Sequence, residues 1–113
     1  MAWGGLARAG ERLQASLDSG EQEDEHSCFS DNTHRDMIQD VQGISNVWNG
    51  TYTRTDGSMV SGTSVKSVVE AVNADLASQL DAQIADSLST ANALQAPYDQ
   101  EIAPGADGNA RVQ

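Results

Sequence analysis

The sequence predicts an all-α chain built as an antiparallel bundle of three or four amphipathic helices. Three observations lead there. Apolar residues recur at spacings of three and four in several separate stretches, the signature of one buried helical face. The apolar fraction of 38% rests on aliphatic side chains and alanine, with one Phe, two Tyr and two Trp in 113 residues, a composition that suits helices better than sheets. The intervening segments are dense in Gly, Ser, Thr, Asn and Asp, the residues of turns. A chain of this length forms one domain at most and buries only about two thirds of its unfolded surface. Isolated helices are marginal in water, so each apolar stripe needs a partner.

Trp3, Leu6, Gly10, Leu13 and Leu17 share one stripe and predict a first helix from about Ala2 to Leu17, weakened at its start by Gly4 and Gly5. Residues 18 to 30 have no period and read as a loop. Met37, Val41, Ile44 and Trp48 then step by four, three and four, with Ile38 and Val47 widening the face, which predicts a helix from about Asn32 to Trp48. Ser30 or Asp31 is the expected cap, Asp36 suits the positive helix start, and Asn49-Gly50 is a natural stop. Gly43 inside this helix costs roughly 1 kcal/mol relative to Ala, and close helix packing is the expected reason for it. Residues 49 to 64, "NGTYTRTDGSMVSGTS", read as a loop with a turn at "TDGS". Val65, Val68, Val69 and Val72 fit one face of a short helix capped by Ser64. From Asn73 or Asp75, Leu76, Leu80, Ile84 and Leu88 step by four along a helix from about Ala74 to Leu94, with alanines on its flanks and Asp81 and Asp86 expected in solvent. Pro97 blocks its continuation. Residues 1–102 are therefore the helical domain and 103–113 an irregular or disordered tail.

Six basic against seventeen acidic residues give a net charge of −11, which repels phosphate backbones and anionic lipid and excludes nucleic acid as a natural partner. No apolar run approaches the length of a membrane span. "MAWGGLARAGERLQASL" has neither the basic start nor the unbroken apolar run of a signal sequence. One cysteine cannot form an internal disulfide.

The acidity is concentrated: eight carboxylates and one Arg lie between Asp18 and Asp40. Within it, "EDEHSCFSDNTHRD" (residues 23–36) holds both histidines and the cysteine. Glu25, His26, Asp31 and His34 are candidate ligands of one ion, with Asp24 and Asp36 behind them, and such oxygen and nitrogen donors suit Fe, Zn or Mn. The spacing of His26 and His34 matches neither H-x-x-E nor H-x-x-x-H, which place two ligands on one helical face. The competing reading is that both histidines hydrogen-bond neighbouring carboxylates or backbone, with Ser27 and Asn32 fixing the loop. Acidic surroundings disfavour a thiolate at Cys28, and a cysteine packed beside Phe29 is the ordinary alternative. No phosphate-binding glycine loop is present.

"EDEHSCFSDNTHRDMIQDVQGISNVWNGTY" closely resembles the signature of the imelysin-like proteins, an acidic E-H-S-C-F-S-D-N-T-H segment leading into a helix that ends in N-V-Y-x-G-x-Y, with Trp48 at the tyrosine position. "NADLASQLDAQIADSLSTANAL" and "APYDQEI" are similar to the family's later helix and its P-F-D-Q segment, with Tyr98 for Phe, so the resemblance runs from about Gly10 to Ile102. It implies an all-helical two-domain bacterial protein of the periplasm or outer membrane, linked to iron uptake and named for a metallopeptidase activity, with its functional site at the junction of two bundles. The family's G-x-H-x-x-E motif belongs to the first half and has no match here. The expectation is therefore an incomplete, second-half bundle that lacks a final helix, whose partner is the first half and whose ligand is iron, zinc or an iron-bearing molecule. Three readings follow: binding of iron or an iron-bearing partner; a metallopeptidase whose ligands lie in the first half; and a structural helical module without a ligand.

Overall fold

A computed structural model describes residues 11–113, which are mostly helical. In chain order they form α1 (Leu13–Ser19), a 3-10 turn (Gln22–Asp24), α2 (Thr33–Asn49), a two-stranded antiparallel ribbon of β1 (Thr51–Thr53) and β2 (Met59–Ser61), α3 (Val65–Val72), α4 (Ala74–Asn92), α5 (Tyr98–Ile102) and α6 (Asn109–Val112). The first part of the predicted N-terminal helix, with Trp3, Leu6 and Gly10, lies outside the described residues. Its continuation is α1, closed by Gly20 at φ +68°.

The predicted caps hold in part. Ser64 Oγ accepts the Ser67 N–H at 3.0 Å and Asn73 Oδ1 accepts the Leu76 N–H at 3.1 Å, so α3 and α4 start where free helix N–H groups find side-chain oxygens. Neither Ser30 nor Asp31 caps α2. Ser30 Oγ donates back to the Ser27 carbonyl, Asp31 sits at φ +51°, and Asn32 occupies the cap position without a side-chain bond to the backbone. Gly50 closes α2 in the left-handed conformation, as expected of Asn49-Gly50. The following loop carries more structure than predicted. Tyr52 pairs with Val60 across the ribbon, and Asp56 accepts both the N–H and the hydroxyl of Ser58 in its turn.

Helices α2 and α4 are antiparallel: Trp48 near the end of α2 donates its indole N–H to Asp81 early in α4 at 3.0 Å, while Met37 near the start of α2 joins Leu94 just beyond α4. Asp81, expected in solvent, also takes the Lys66 ammonium at 2.9 Å and so joins α2, α3 and α4. These bonds hold its carboxyl below the ordinary range. The predicted leucine stripe of α4 is only half-covered. Along α4 it is the alanines Ala77 and Ala91 that are buried, while Leu76 is exposed. The valines of α3 likewise stay largely in solvent, as do Val47 and the ribbon residues Tyr52, Met59 and Val60. Gly43 permits no close packing: nothing lies within 4 Å of where its Cβ would stand.

The core gathers at the other end of the bundle. Met37, Leu94, Tyr98, Ile102 and Val112 pack together, with Leu13 and Leu17 against them. Fully burying a side chain such as Ile102 contributes about 1.5–3 kcal/mol. The tail is a correction to the sequence reading. Residues 103–108 are turns, but Asn109–Val112 form α6 and Val112 enters the core. Arg111 clamps Glu101 with two bonds of 2.6 and 2.8 Å, and Asn109 donates to the carbonyls of Glu101 and Ala103. A helix of one turn carries no period to detect, which is why the sequence pattern misses it.

The two glycines of the α2 region should respond oppositely to substitution. At Gly50, φ is +64° and an added Cβ would stand 2.7 Å from the Gly62 carbonyl oxygen, so Gly50→Ala should destabilise by at least about 1 kcal/mol. Gly43→Ala should stabilise by up to about 1 kcal/mol. Urea unfolding of the two variants checks the sign of each.

Candidate functional site

The segment 23–36 folds back on the first turn of α2. Thr33, the first residue of that helix and almost fully buried, acts in two directions: its Oγ1 accepts the Ser27 N–H at 3.2 Å and donates to Glu25 Oε2 at 3.0 Å. One turn on, the Asp36 carboxylate gathers the rest of the loop. Its Oδ2 accepts the Ser27 hydroxyl and the His26 Nδ1–H, the latter at 3.1 Å, and its Oδ1 accepts the Asn32 amide at 3.0 Å. The negative charge also suits the positive start of α2.

Proton counting fixes the tautomer of His26. Ser27 has one hydroxyl proton, and it goes to Asp36. The 2.9 Å contact between His26 Nδ1 and Ser27 Oγ must then be donated by the imidazole, so Nδ1 carries a proton shared between Ser27 and Asp36. A neutral ring in this state keeps its lone pair on Nε2. Ser27 is therefore not a nucleophile activated by His26, because its proton points to a carboxylate and not to a ring nitrogen.

Behind this frame lies a buried polar pair. Ser16 Oγ donates to the Leu13 carbonyl at 3.0 Å, so the 3.1 Å bond between Ser16 and Tyr98 is donated by the tyrosine hydroxyl. Burial pushes the Tyr98 phenol up; the Ser16 bond opposes this and the nearby Glu25 charge adds to it. Glu25 itself is only 4% exposed and its Oε1 has no partner among the described residues. Burial raises its pKa above 4.5, the Thr33 bond works against that, and the negative charges of Asp99 and Asp31 reinforce it. For Asp36, burial alone acts upward. The bonds from Ser27 and His26, the charge of His26 and the Asn32 bond outweigh it and bring the pKa below 3.8.

The structure thus brings some expected site residues together and not others. His26 and Asp36 are paired, and Glu25 is tied to the same loop through Thr33. Asp24 lies exposed in the 3-10 turn, Asp31 is exposed in a left-handed bend, and His34 has a buried Nδ1 without a partner among the described residues. Among the described residues no three His, Cys, Asp or Glu side chains converge as metal ligands. The expected four-ligand set of Glu25, His26, Asp31 and His34 is therefore not assembled, and these residues do not fit a resident ion held by this chain alone. Cys28 is half-buried, but Phe29 projects fully into solvent and does not pack beside it. Thr33, Ser16 and Tyr98 are participants the spacing did not single out. The one available signal was the tyrosine in "APYDQEI", whose added hydroxyl finds Ser16.

A family model described as Imelysin matches residues 6–113. The chain belongs to the imelysin family. Imelysin proteins are linked to iron uptake, and the family is one of the cell envelope. The match extends past Ile102 to the last residue and includes the clamped tail. No curated protein matches the chain. Among the described residues no helix of this imelysin chain is long and apolar enough to cross a membrane.

The half-buried Asp36 and the buried Glu25 should give opposite pH signatures. Asp36 has a lowered folded pKa, so its stabilisation is present above pH 3.8 and is lost as pH falls through the folded value. Asp36→Asn should cost roughly 1–2 kcal/mol at pH 7, and the gap should narrow toward pH 3. Glu25 has a raised folded pKa, so its favourable contribution is present below pH 4.5 and is lost as pH rises through the folded value. Glu25→Gln should therefore gain stability relative to the parent between pH 4 and 7. Urea midpoints from pH 3 to 7 read both.

Proposed function

We infer that this imelysin-family chain serves iron acquisition in the periplasm or at the outer membrane by binding an iron-bearing partner, and not by hydrolysing peptides. The observation that supports the reading is the braced His26. Asp36 and Ser27 accept its Nδ1 proton, which orients the ring and, when the imidazole is neutral, leaves the lone pair on Nε2. A single oriented nitrogen suits iron already held by other donors, whereas a bare ion needs several protein ligands at once. Asp36 orients the histidine, and the exposed Asp24 and Asp31 of the same loop add to its acidic surround. The excess of acidic residues favours cationic centres over anionic ones.

Hydrolysis by a metallopeptidase requires a metal, an activated water and a free general base. The carboxylate nearest His26 is occupied by three donors, and the chain carries no G-x-H-x-x-E. A metallopeptidase reading would draw all its ligands from residues outside this chain.

Calorimetric titration of ferric citrate, ferrous sulfate and zinc sulfate into the purified chain tests the proposal. Ferric citrate should give a saturable heat that falls at least about tenfold in affinity in His26→Ala/His34→Ala, with His26→Ala alone giving most of the loss. Equal heats from parent and variants, no heat with ferric citrate, or chelator-sensitive cleavage of casein would overturn it.

A further inference from the structure

Glu25 stands where a carboxylate is unfavourable. It is buried, its Oε1 has no partner among the described residues, and the negative charges of Asp99 and Asp31 lie near enough to act against its own. A buried carboxylate with one oxygen unmatched works against the fold. Packing gives no reason for it either, because an apolar side chain of the same length would fill similar space without a polar oxygen. What the carboxylate does make is one bond: its Oε2 accepts the Thr33 hydroxyl at 3.0 Å. That hydroxyl has a single proton. Sent to Glu25, the proton leaves a Thr33 lone pair to receive the Ser27 N–H at 3.2 Å. A threonine at a helix start without such an acceptor can turn its hydroxyl to a carbonyl of the preceding turn, which would turn that lone pair away from Ser27.

We propose that Glu25 is a positioning residue: through the Thr33 hydroxyl and the Ser27 backbone it fixes the Ser27 side chain that receives the His26 Nδ1 proton, and so keeps Nε2 as the free nitrogen. The contacts are continuous from one residue to the other. Glu25 Oε2 takes the Thr33 proton, Thr33 Oγ1 takes the Ser27 N–H, and Ser27 Oγ meets His26 Nδ1 at 2.9 Å. Asp36 meets the ring from α2 and Ser27 meets it from the loop, so the two acceptors together define one orientation of the imidazole. Groups that orient a donor nitrogen in this way govern how well it meets a metal centre without touching the metal themselves. The assignment rests on the reading of His26 as the nitrogen that meets iron, and it gives Glu25 a part in that site other than ligand. A side chain that opposes the fold while it presets a functional ring is the expected trade between stability and function.

Long-range proton–nitrogen correlation spectra of the isotope-labelled chain at about pH 8 separate the protonated and bare nitrogens of a neutral imidazole. The chain has two histidines, so a His34→Gln background leaves His26 as the one ring observed. With Glu25 in place, that ring should show a protonated Nδ1 and a bare Nε2. Glu25→Met, similar in length and without an acceptor oxygen, should bring the two nitrogen shifts toward their exchange average while its urea midpoint equals or exceeds that of the parent. Glu25→Gln should restore the parent spectrum, because its amide oxygen can take the Thr33 proton. Thr33→Ser should keep that spectrum and Thr33→Val should lose it. Ferric citrate affinity should fall at least about threefold in Glu25→Met and hold in Glu25→Gln. A parent ring spectrum in Glu25→Met, a ring in Glu25→Gln as averaged as in Glu25→Met, or a urea midpoint that falls as far in Glu25→Met as in Thr33→Val would each overturn the assignment. Failure of ferric citrate to bind the parent would sink the iron reading alone, since the ring signature is measured without a ligand.

Discussion

The acidic segment keeps its shape because Asp36 accepts three hydrogen bonds from the loop that precedes its own helix. A run of carboxylates with few cations repels itself and has little apolar surface to bury. One of those carboxylates, set in the first turn of α2, instead collects the hydroxyl, imidazole and amide of Ser27, His26 and Asn32. Hydrogen bonds to a charged acceptor are worth more than neutral ones. Thr33 adds the second tie by holding Ser27 and Glu25 together. The orientation and tautomer of His26 follow from these bonds, and so does the burial of Glu25 beside the Tyr98 side of the core.

Local signals carried most of the helical architecture. Ser64, Asn73 and Gly50 stand where capping chemistry requires them, because a cap depends on residues within one turn. Long-range pairs were invisible to the same reading. Asp81 lies off the leucine stripe, so periodicity alone places it in solvent, and only the fold brings Trp48 and Lys66 to it. Tyr98 and Ser16 are 82 positions apart, and nothing in either neighbourhood announces the other. The valines of α3 mislead in the opposite direction: an apolar face predicts burial, yet most of this one remains exposed. In the acidic segment, spacing did not show which residues pair. His26 and Asp36 are partners, whereas His34 and Asp31 belong to no common centre with them.

The two ends of the bundle divide their work. At one end α1, α5 and α6 close the core beneath the braced loop, and the Arg111–Glu101 clamp fixes the tail there. At the other end the Trp48–Asp81 and Lys66–Asp81 contacts tie the three helices together beside an apolar groove. The imelysin family is linked to iron uptake and to the cell envelope, and the braced histidine is the feature on which the proposed role of this chain rests.

The Ser27 amide gives the most direct test of that frame. Its N–H is bonded to Thr33 Oγ1, and the loop that carries it is held by Asp36. Amide hydrogen exchange should show Ser27 protected in the parent chain and accelerated in Asp36→Ala, with the amides of α4 unchanged. Exchange of Ser27 at the rate of a free loop in the parent, or protection untouched by Asp36→Ala, would contradict the account.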